Sequence, residues 1–252
     1  MTTTIIQCRP SNWNDLMLYQ KIQYYQKYLN QYHSKFVDKL NARKIVSKQI
    51  EKDEILIPKI IIELENWNSV QEEHLNSNYI IKSSHGSKWN INILPEKIYK
   101  LNVVKMQLKE WNRLYNPKCE KQYCYLKPRF FIEEKIDDYY FGKTGNAVVF
   151  MCRVFYGKCH CISPLYNGKQ NDYDTNWNII GDNNLDFIQK PKKLDLMIKY
   201  AEKLGDPFEF VRIDFYIDKN DDLYFSEYTF SPAAGNIAFS LKLEKELSKY
   251  WI

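Results

Sequence analysis

The chain has 252 residues, 44% of them hydrophobic and 27% charged, with a net charge of +5. This is the profile of a globular chain with room for a sizeable core. Its lysines and arginines are scattered among acids, which excludes the concentrated basic face of a polyanion binder, so no nucleic-acid partner is expected. No apolar run approaches the roughly 18 residues of a membrane span. The start, MTTTIIQCRPSNW, lacks the basic and apolar segments of a signal peptide, so a cytoplasmic location is expected.

In chain order, residues 14–46 read as mostly helical, with a second helix starting near Ser34 or Asp38 and carrying Lys39. Residues 54–64 read as a loop into a short strand, and 67–75 as a short helix or turn. Tyr79, Ile80 and Ile81 form a strand that ends at Lys82 and opens into the polar loop Ser83-Ser84-His85-Gly86-Ser87. A lysine at a strand end followed by loop N–H groups suits a phosphate, the ammonium giving a point charge and the backbone giving donors. A surface hairpin turn is the competing reading. Residues 95–114 are expected to be helical, with Ile98, Leu101, Val104, Leu108 and Trp111 as core positions.

Residues 128–136 read as a strand whose adjacent acids, Glu133 and Glu134, point to opposite faces. Residues 147–163 read as two strands around a Tyr156-Gly157 turn, with Arg153 the only charge inside the first. An arginine among apolar neighbours needs an anionic partner, from the protein or from a ligand. Residues 168–184 read as a long polar loop, and 191–204 as an amphipathic helix terminated by Gly205. Residues 241–252 read as a short closing helix. Of the six cysteines, Cys159 and Cys161 flank His160, but no second ligand pair follows at zinc-like spacing, so Cys8, Cys119, Cys124, Cys152, Cys159 and Cys161 are expected to be free thiols. On a regular strand Cys159 and Cys161 face one way and His160 the other.

The most informative stretch is 208–235, FEFVRIDFYIDKNDDLYFSEYTFSPAAG. Alternating apolar residues mark one strand, residues 218–222 form an acidic turn, and an aromatic-rich second strand carries the single acid Glu227. If Ile217 pairs with Tyr224, Asp214 lies opposite Glu227 and Arg212 opposite Thr229. Carboxylates at roughly 5 Å repel unless a cation or shared proton sits between them, and a hard divalent cation bridging phosphate oxygens fits that place. Pairing Ile217 with Leu223 instead turns Glu227 to the other face unless a bulge corrects the register. A hairpin with solvated acids is the plain alternative.

Together these segments resemble the ATP-grasp superfamily, and most closely its TupA-like family, associated with teichuronopeptide and other cell-surface polysaccharide synthesis. The matching stretches are FVDKLNARKIV, YIIKSSHGS, KPRFFIEEKI, FYGK, TNWN, PKKLDLMIKYAEKL, FVRIDFY, LYFSEYTFSPAAG and KYWI. The resemblance implies an α+β ATP-grasp fold, two α+β subdomains with antiparallel sheets sandwiching the nucleotide, preceded by a helical N-terminal region. The expected divisions are 1–75, 76–137 with the nucleotide loop and adenine hinge, and 138–252 with the metal hairpin. It implies ATP and Mg²⁺ as cofactors. Lys39, Lys82 and the loop Ser84, His85, Gly86 and Ser87 would meet the phosphates, with Glu133 and Glu134 at the adenine and ribose hinge. Asp214, Glu227 and Thr229 would hold the metal, and Arg212 and Arg153 would act in catalysis. Val149 and Met151 stand where the family carries an acid and a basic residue, and Arg153, on the same face, substitutes for the missing base.

The implied activity is a carboxylate–amine ligase. A small-molecule or glycan carboxylate is activated as an acylphosphate, and an amine or hydroxyl acceptor then displaces phosphate. A sugar or polyol kinase and a nucleotide-binding scaffold that has lost catalysis are the alternatives.

Overall fold

The computed structural model describes residues 9–51, 53–115 and 120–252; Cys8 and Cys119 lie outside them. The described residues form six α-helices and ten strands in two antiparallel sheets. The N-terminal helical region is broken into three short helices: α1 (Leu18–Tyr25), α2 (Gln31–Val37) and α3 (Lys39–Val46). The break between α2 and α3 falls at Asp38, whose carboxylate caps α3 by accepting from Leu40 N (3.0 Å) and Asn41 N (2.9 Å).

The small sheet contains β1 (Ile60–Leu64), β2 (Tyr79–Ser83), β3 (Asn90–Asn92) and β4 (Phe130–Glu134) in the order β1-β4-β2-β3. Helix α4 (Leu101–Trp111) covers it through Val104 and Leu108. Ile98, an expected core residue, precedes this helix and is 91% exposed. The large sheet contains β5 (Val149–Phe155), β6 (Lys158–Tyr166), β7 (Lys169–Tyr173), β8 (Ile179–Asn183), β9 (Phe210–Ile217) and β10 (Leu223–Thr229) in the order β10-β9-β5-β6-β7-β8. Behind it lies α5 (Leu194–Gly205), and α6 (Leu241–Ser248) closes the chain.

Two cores result. One joins Leu64, Val70, Ile81, Val104, Leu108 and Ile132 in the small lobe; the other joins α1–α3 with the large sheet, α5 and Trp251. The helices before the small sheet thus pack with the large lobe, while Ile60–Leu64 and Val70 belong to the small one. The final segment is pinned in turn. The carbonyl of Trp251 accepts from Trp13 Nε1 (2.8 Å) and from the buried Lys21 Nζ (2.7 Å).

Three local expectations change. The stretch 168–184 holds strands β7 and β8 rather than a loop. Two of its polar side chains are core residues: Asn171 bonds the Leu185 backbone both ways, at 2.9 and 2.8 Å, and Asp172 accepts from Ser163, Gln170 and Asp182 N. Gly205 is the last helical residue and not a left-handed cap. A Cβ there would meet the Val154 side chain at 2.6 Å, so glycine permits helix–sheet contact. A bulge at His160 places Cys161 opposite Arg153 and Cys159 opposite Val154. The two cysteines therefore partner neighbouring β5 residues, which face opposite ways, and do not share one face.

His33, in α2, is buried between Tyr25 and Phe230, and burial pulls its imidazole down to about 4. An unfolded chain protonates this group at about 6.5. Between pH 6.5 and 4 the unfolded state therefore binds the extra proton, and stability falls as the pH falls. His33→Phe is expected to remove up to about 3 kcal/mol of that acid loss, at about 1.4 kcal/mol for each pH unit of the window. Urea melts at pH 7 and pH 4.5 check it; parallel profiles for variant and wild type would contradict it.

Candidate functional site

The two sheets face each other across a cleft of about 1020 Å³. The hairpin β9–β10 forms part of its wall. It starts in the register that would turn Glu227 away, with Leu223 opposite Ile217 and Phe225 opposite Phe215. An extra residue at Ser226 then shifts the pairing, so Glu227 lies opposite Asp214 and Thr229 opposite Arg212. All four residues line the cleft. Arg212 grips Asp214 with two bonds, Nε to Oδ1 at 2.7 Å and Nη2 to Oδ2 at 2.6 Å, and reaches Thr229 Oγ1 at 3.1 Å. Glu227 stands 3.7 Å from the same guanidinium. Asp214 is 1% exposed. Burial pushes its carboxyl up to about 6, against the pull of Arg212.

Two carboxylates and a hydroxyl make an all-oxygen donor set. That set would suit a hard divalent cation, with phosphate oxygens of a bound nucleotide as further donors. Facing it are cations from both lobes. Lys82 projects from the end of β2, bonded at 2.5 Å to Glu133 on β4. Glu133, 1% exposed, also accepts from Arg43, one turn after Lys39 on α3. Lys82 is raised and Glu133 lowered by this pairing, each against the effect of burial. Val149, Met151 and Arg153, on β5, line the same wall as Asp214 and Arg212. Arg153 lies directly opposite Arg212 in the sheet. Among the described residues no carboxylate bonds it directly. It donates to Ser163 Oγ at 2.7 Å, which donates to Asp172 at 2.6 Å, and it lies against the Phe239 ring. Of the two arginines side by side on this sheet face, Arg212 has Asp214 as its bonded anion, whereas Arg153 is held by the Ser163 hydroxyl.

The loop after Lys82 is held from behind. His85 is fully buried; its Nδ1 lies 2.7 Å from Ser83 Oγ and its Nε2 donates to the Trp111 carbonyl at 2.9 Å. Ser84, also buried, bonds Asp38 at 3.2 Å. Gly86 lets the loop approach Trp89, whose ring a Cβ would meet at 2.5 Å, and its carbonyl accepts Lys39 Nζ at 2.6 Å. The side chains of Ser84 and His85 therefore brace the loop, and Ser87 is the one of its serines that lines the cleft. Asp38 joins the lobes: it caps α3, receives Ser84 and takes Arg129 Nη2 at 2.7 Å.

The structure thus brings Lys39, Lys82, Ser87, Glu133, Arg153, Arg212, Asp214, Glu227 and Thr229 to one cleft. Glu134 stands outside it, paired with the half-exposed Lys143 at 3.0 Å, because adjacent strand residues alternate. Glu133 accepts from Lys82 through one oxygen and from Arg43 through the other. Arg43 was legible as the residue four after Lys39 on one helix face. Glu120, Tyr115 and Tyr123, which also line the cleft, lie outside regular strands and carry no sequence signal.

Among solved structures, the D-alanine–D-alanine ligase from Bacillus anthracis complexed with ATP is similar, with a TM-score of 0.50 and 16% identity over 86% of this chain and 63% of that one. The ADP complex of PurK, an N5-carboxyaminoimidazole ribonucleotide synthetase, gives 0.47 and 12% over 84% and 50%. The ATP-grasp ligase PsnB with minimal precursor, Mg and ADP gives 0.44 and 10% over 84% and 57%. The chain thus spans 50 to 63% of the length of these structures. No curated protein sequence matches. Across residues 18–251 the chain matches the model of the TupA-like ATP-grasp family, and it belongs to that family.

Proposed function

We propose that the protein is a Mg²⁺- and ATP-dependent ligase that activates a carboxylate as an acylphosphate for amide-type bond formation, in cell-surface polysaccharide synthesis. The observation that carries this reading is the Ser226 bulge, which sets Asp214 and Glu227 opposite each other on the cleft face shared with Arg153. Bound Mg-ATP supplies the phosphoryl group that activates the carboxylate. Asp214, Glu227 and Thr229 would hold the metal, and Arg212 fixes the Asp214 carboxylate in place. Lys39, Lys82, Arg43 and Arg153 balance charge on the phosphates, so positioning and electrostatics perform most of the work. The apolar walls at Ile80, Ile136 and Leu165 suit a base, and enclosure between the two lobes excludes water from the activated carboxylate.

The test is ATP turnover with Mg²⁺ against a panel of uronic acids and amino acids. ADP release with an amide product is expected. ADP release with a stable phosphorylated sugar would assign a kinase instead, and nucleotide binding without turnover a scaffold.

A further inference from the structure

Near Arg212 and Glu227 the cleft is also lined by Tyr115, Glu120, Tyr123, Ser231, Ala233 and Ala234. Glu120 is 8% exposed. One of its oxygens accepts the Ser231 hydroxyl at 2.9 Å and the other the Tyr115 hydroxyl at 3.3 Å. Ser231 Oγ itself accepts from Gln122 Nε2 at 3.0 Å, which commits its proton to Glu120. The other buried cleft acids, Asp214 and Glu133, are each gripped by a cation of the chain. Among the described residues the hydrogen-bond partners of Glu120 are uncharged, and one bond to each oxygen leaves a lone pair there for a further donor. Burial raises the carboxyl and Glu227 adds repulsion, with Lys88 as an opposing influence. A buried carboxylate without a bonded cation is costly unless its site receives one.

The adjoining turn points the same way. Ala233 and Ala234 adopt left-handed backbone, at φ 50° and 52°, a conformation unfavourable for alanine. The turn is held there by Gln23 Nε2 donating to Gly235 O at 2.9 Å and by Asn236 N donating to Ala233 O at 3.0 Å. Strain kept in place by outside contacts, on a surface that lines a cleft, marks a shaped binding wall.

We propose that Glu120 receives the primary ammonium group of the acceptor substrate and takes one of its protons as the new bond forms. The inference rests on the ligase reading above and specifies the acceptor as an amine, not a hydroxyl: an alcohol would leave the Glu120 charge unmatched. The ammonium gives one proton to a Glu120 oxygen. The freed nitrogen lone pair bonds the acyl carbon of the acylphosphate, and the carbon–oxygen bond to the phosphoryl group breaks. Phosphate leaves with that electron pair and takes up the second proton, giving amide and hydrogen phosphate.

The test uses the full chain with Mg-ATP, the carboxylate found active in the panel above, and two kinds of nucleophile. One is a set of amino acids as ammonium donors; the other is hydroxylamine, which is neutral near pH 7.5 and needs no base to expose its lone pair. Glu120→Gln keeps the hydrogen-bonding shape, and its thermal shift with Mg-AMPPNP is expected to equal that of the wild type. Amide formation with amino acids should drop about a hundredfold or more, the usual worth of a positioned base, while hydroxamate formation stays within about threefold, well inside that effect. Glu120→Asp, which restores the charge, should recover part of the loss. Equal loss with both nucleophiles, or no loss with amino acids, would overturn the proposal. A wild-type chain that shows neither a Mg-AMPPNP shift nor hydroxamate would instead remove the ligase reading, and this inference with it.

Discussion

Asp214→Asn is expected to lower Mg-ATP turnover by about a thousandfold, the upper range for removing one preorganised electrostatic contact. The substitution is nearly isosteric, and the residue is buried, so the shape of the hairpin is kept. Its amide oxygen still accepts one bond from Arg212, and Glu227 remains 3.7 Å away as a second carboxylate for that guanidinium. What is lost is the negative charge opposite Glu227, and with it the pair that would hold the cation. Steady-state ADP release at saturating Mg²⁺, with a melting curve to show that the fold is retained, measures this. Turnover within twofold of the wild type would place the chemistry elsewhere.

The largest stability effect is expected at Glu133. Lys82 and Arg43 are both largely buried and both bond this one carboxylate. Glu133→Gln leaves two buried cations without an anion, which costs about 3–5 kcal/mol when one side of a buried pair is removed. For a domain of this size that lowers the melting temperature by about 10 °C, at roughly 2–4 °C per kcal/mol. The neighbouring Glu134→Gln breaks only the pair with half-exposed Lys143, worth about 0–1 kcal/mol. A ligand that carries phosphates into the cleft should restore stability to the Glu133 variant, by about 2.7 kcal/mol at a hundred times its Kd. Thermal melts of the two variants with and without Mg-AMPPNP check all three statements. Equal melting of the two variants would contradict the assignment of Glu133 to the buried cluster.

Much of the site was legible because its chemistry sits on short-period patterns. Asp214 and Glu227 stand out as lone acids on apolar strands, and Lys82 stands out at a strand end. The register that joins the two acids was not legible, because it depends on Ser226, a residue with no turn or bulge signature of its own. Strands β7 and β8 were hidden for a different reason. Asn171 and Asp172 are polar residues satisfied by tertiary hydrogen bonds, so a hydropathy pattern reads them as loop. The same holds at His85, which reads as a ligand-facing loop residue and is a buried brace. Glu120 directly precedes the single helical turn Lys121–Tyr123, and only the three-dimensional cleft brings it near Glu227. The α+β class and the antiparallel pairing within each sheet followed from the strand patterns and the family resemblance, whereas the division of the chain between two cores depended on where β1 docks.

The most direct test is a crystal structure of the full chain with Mg-AMPPNP. The account predicts a metal bonded to carboxylate oxygens of Asp214 and Glu227 at about 2.1 Å, with phosphate oxygens on Lys39, Lys82 and Arg153. A metal held by other residues, or phosphates bound outside the cleft between the two sheets, would contradict it.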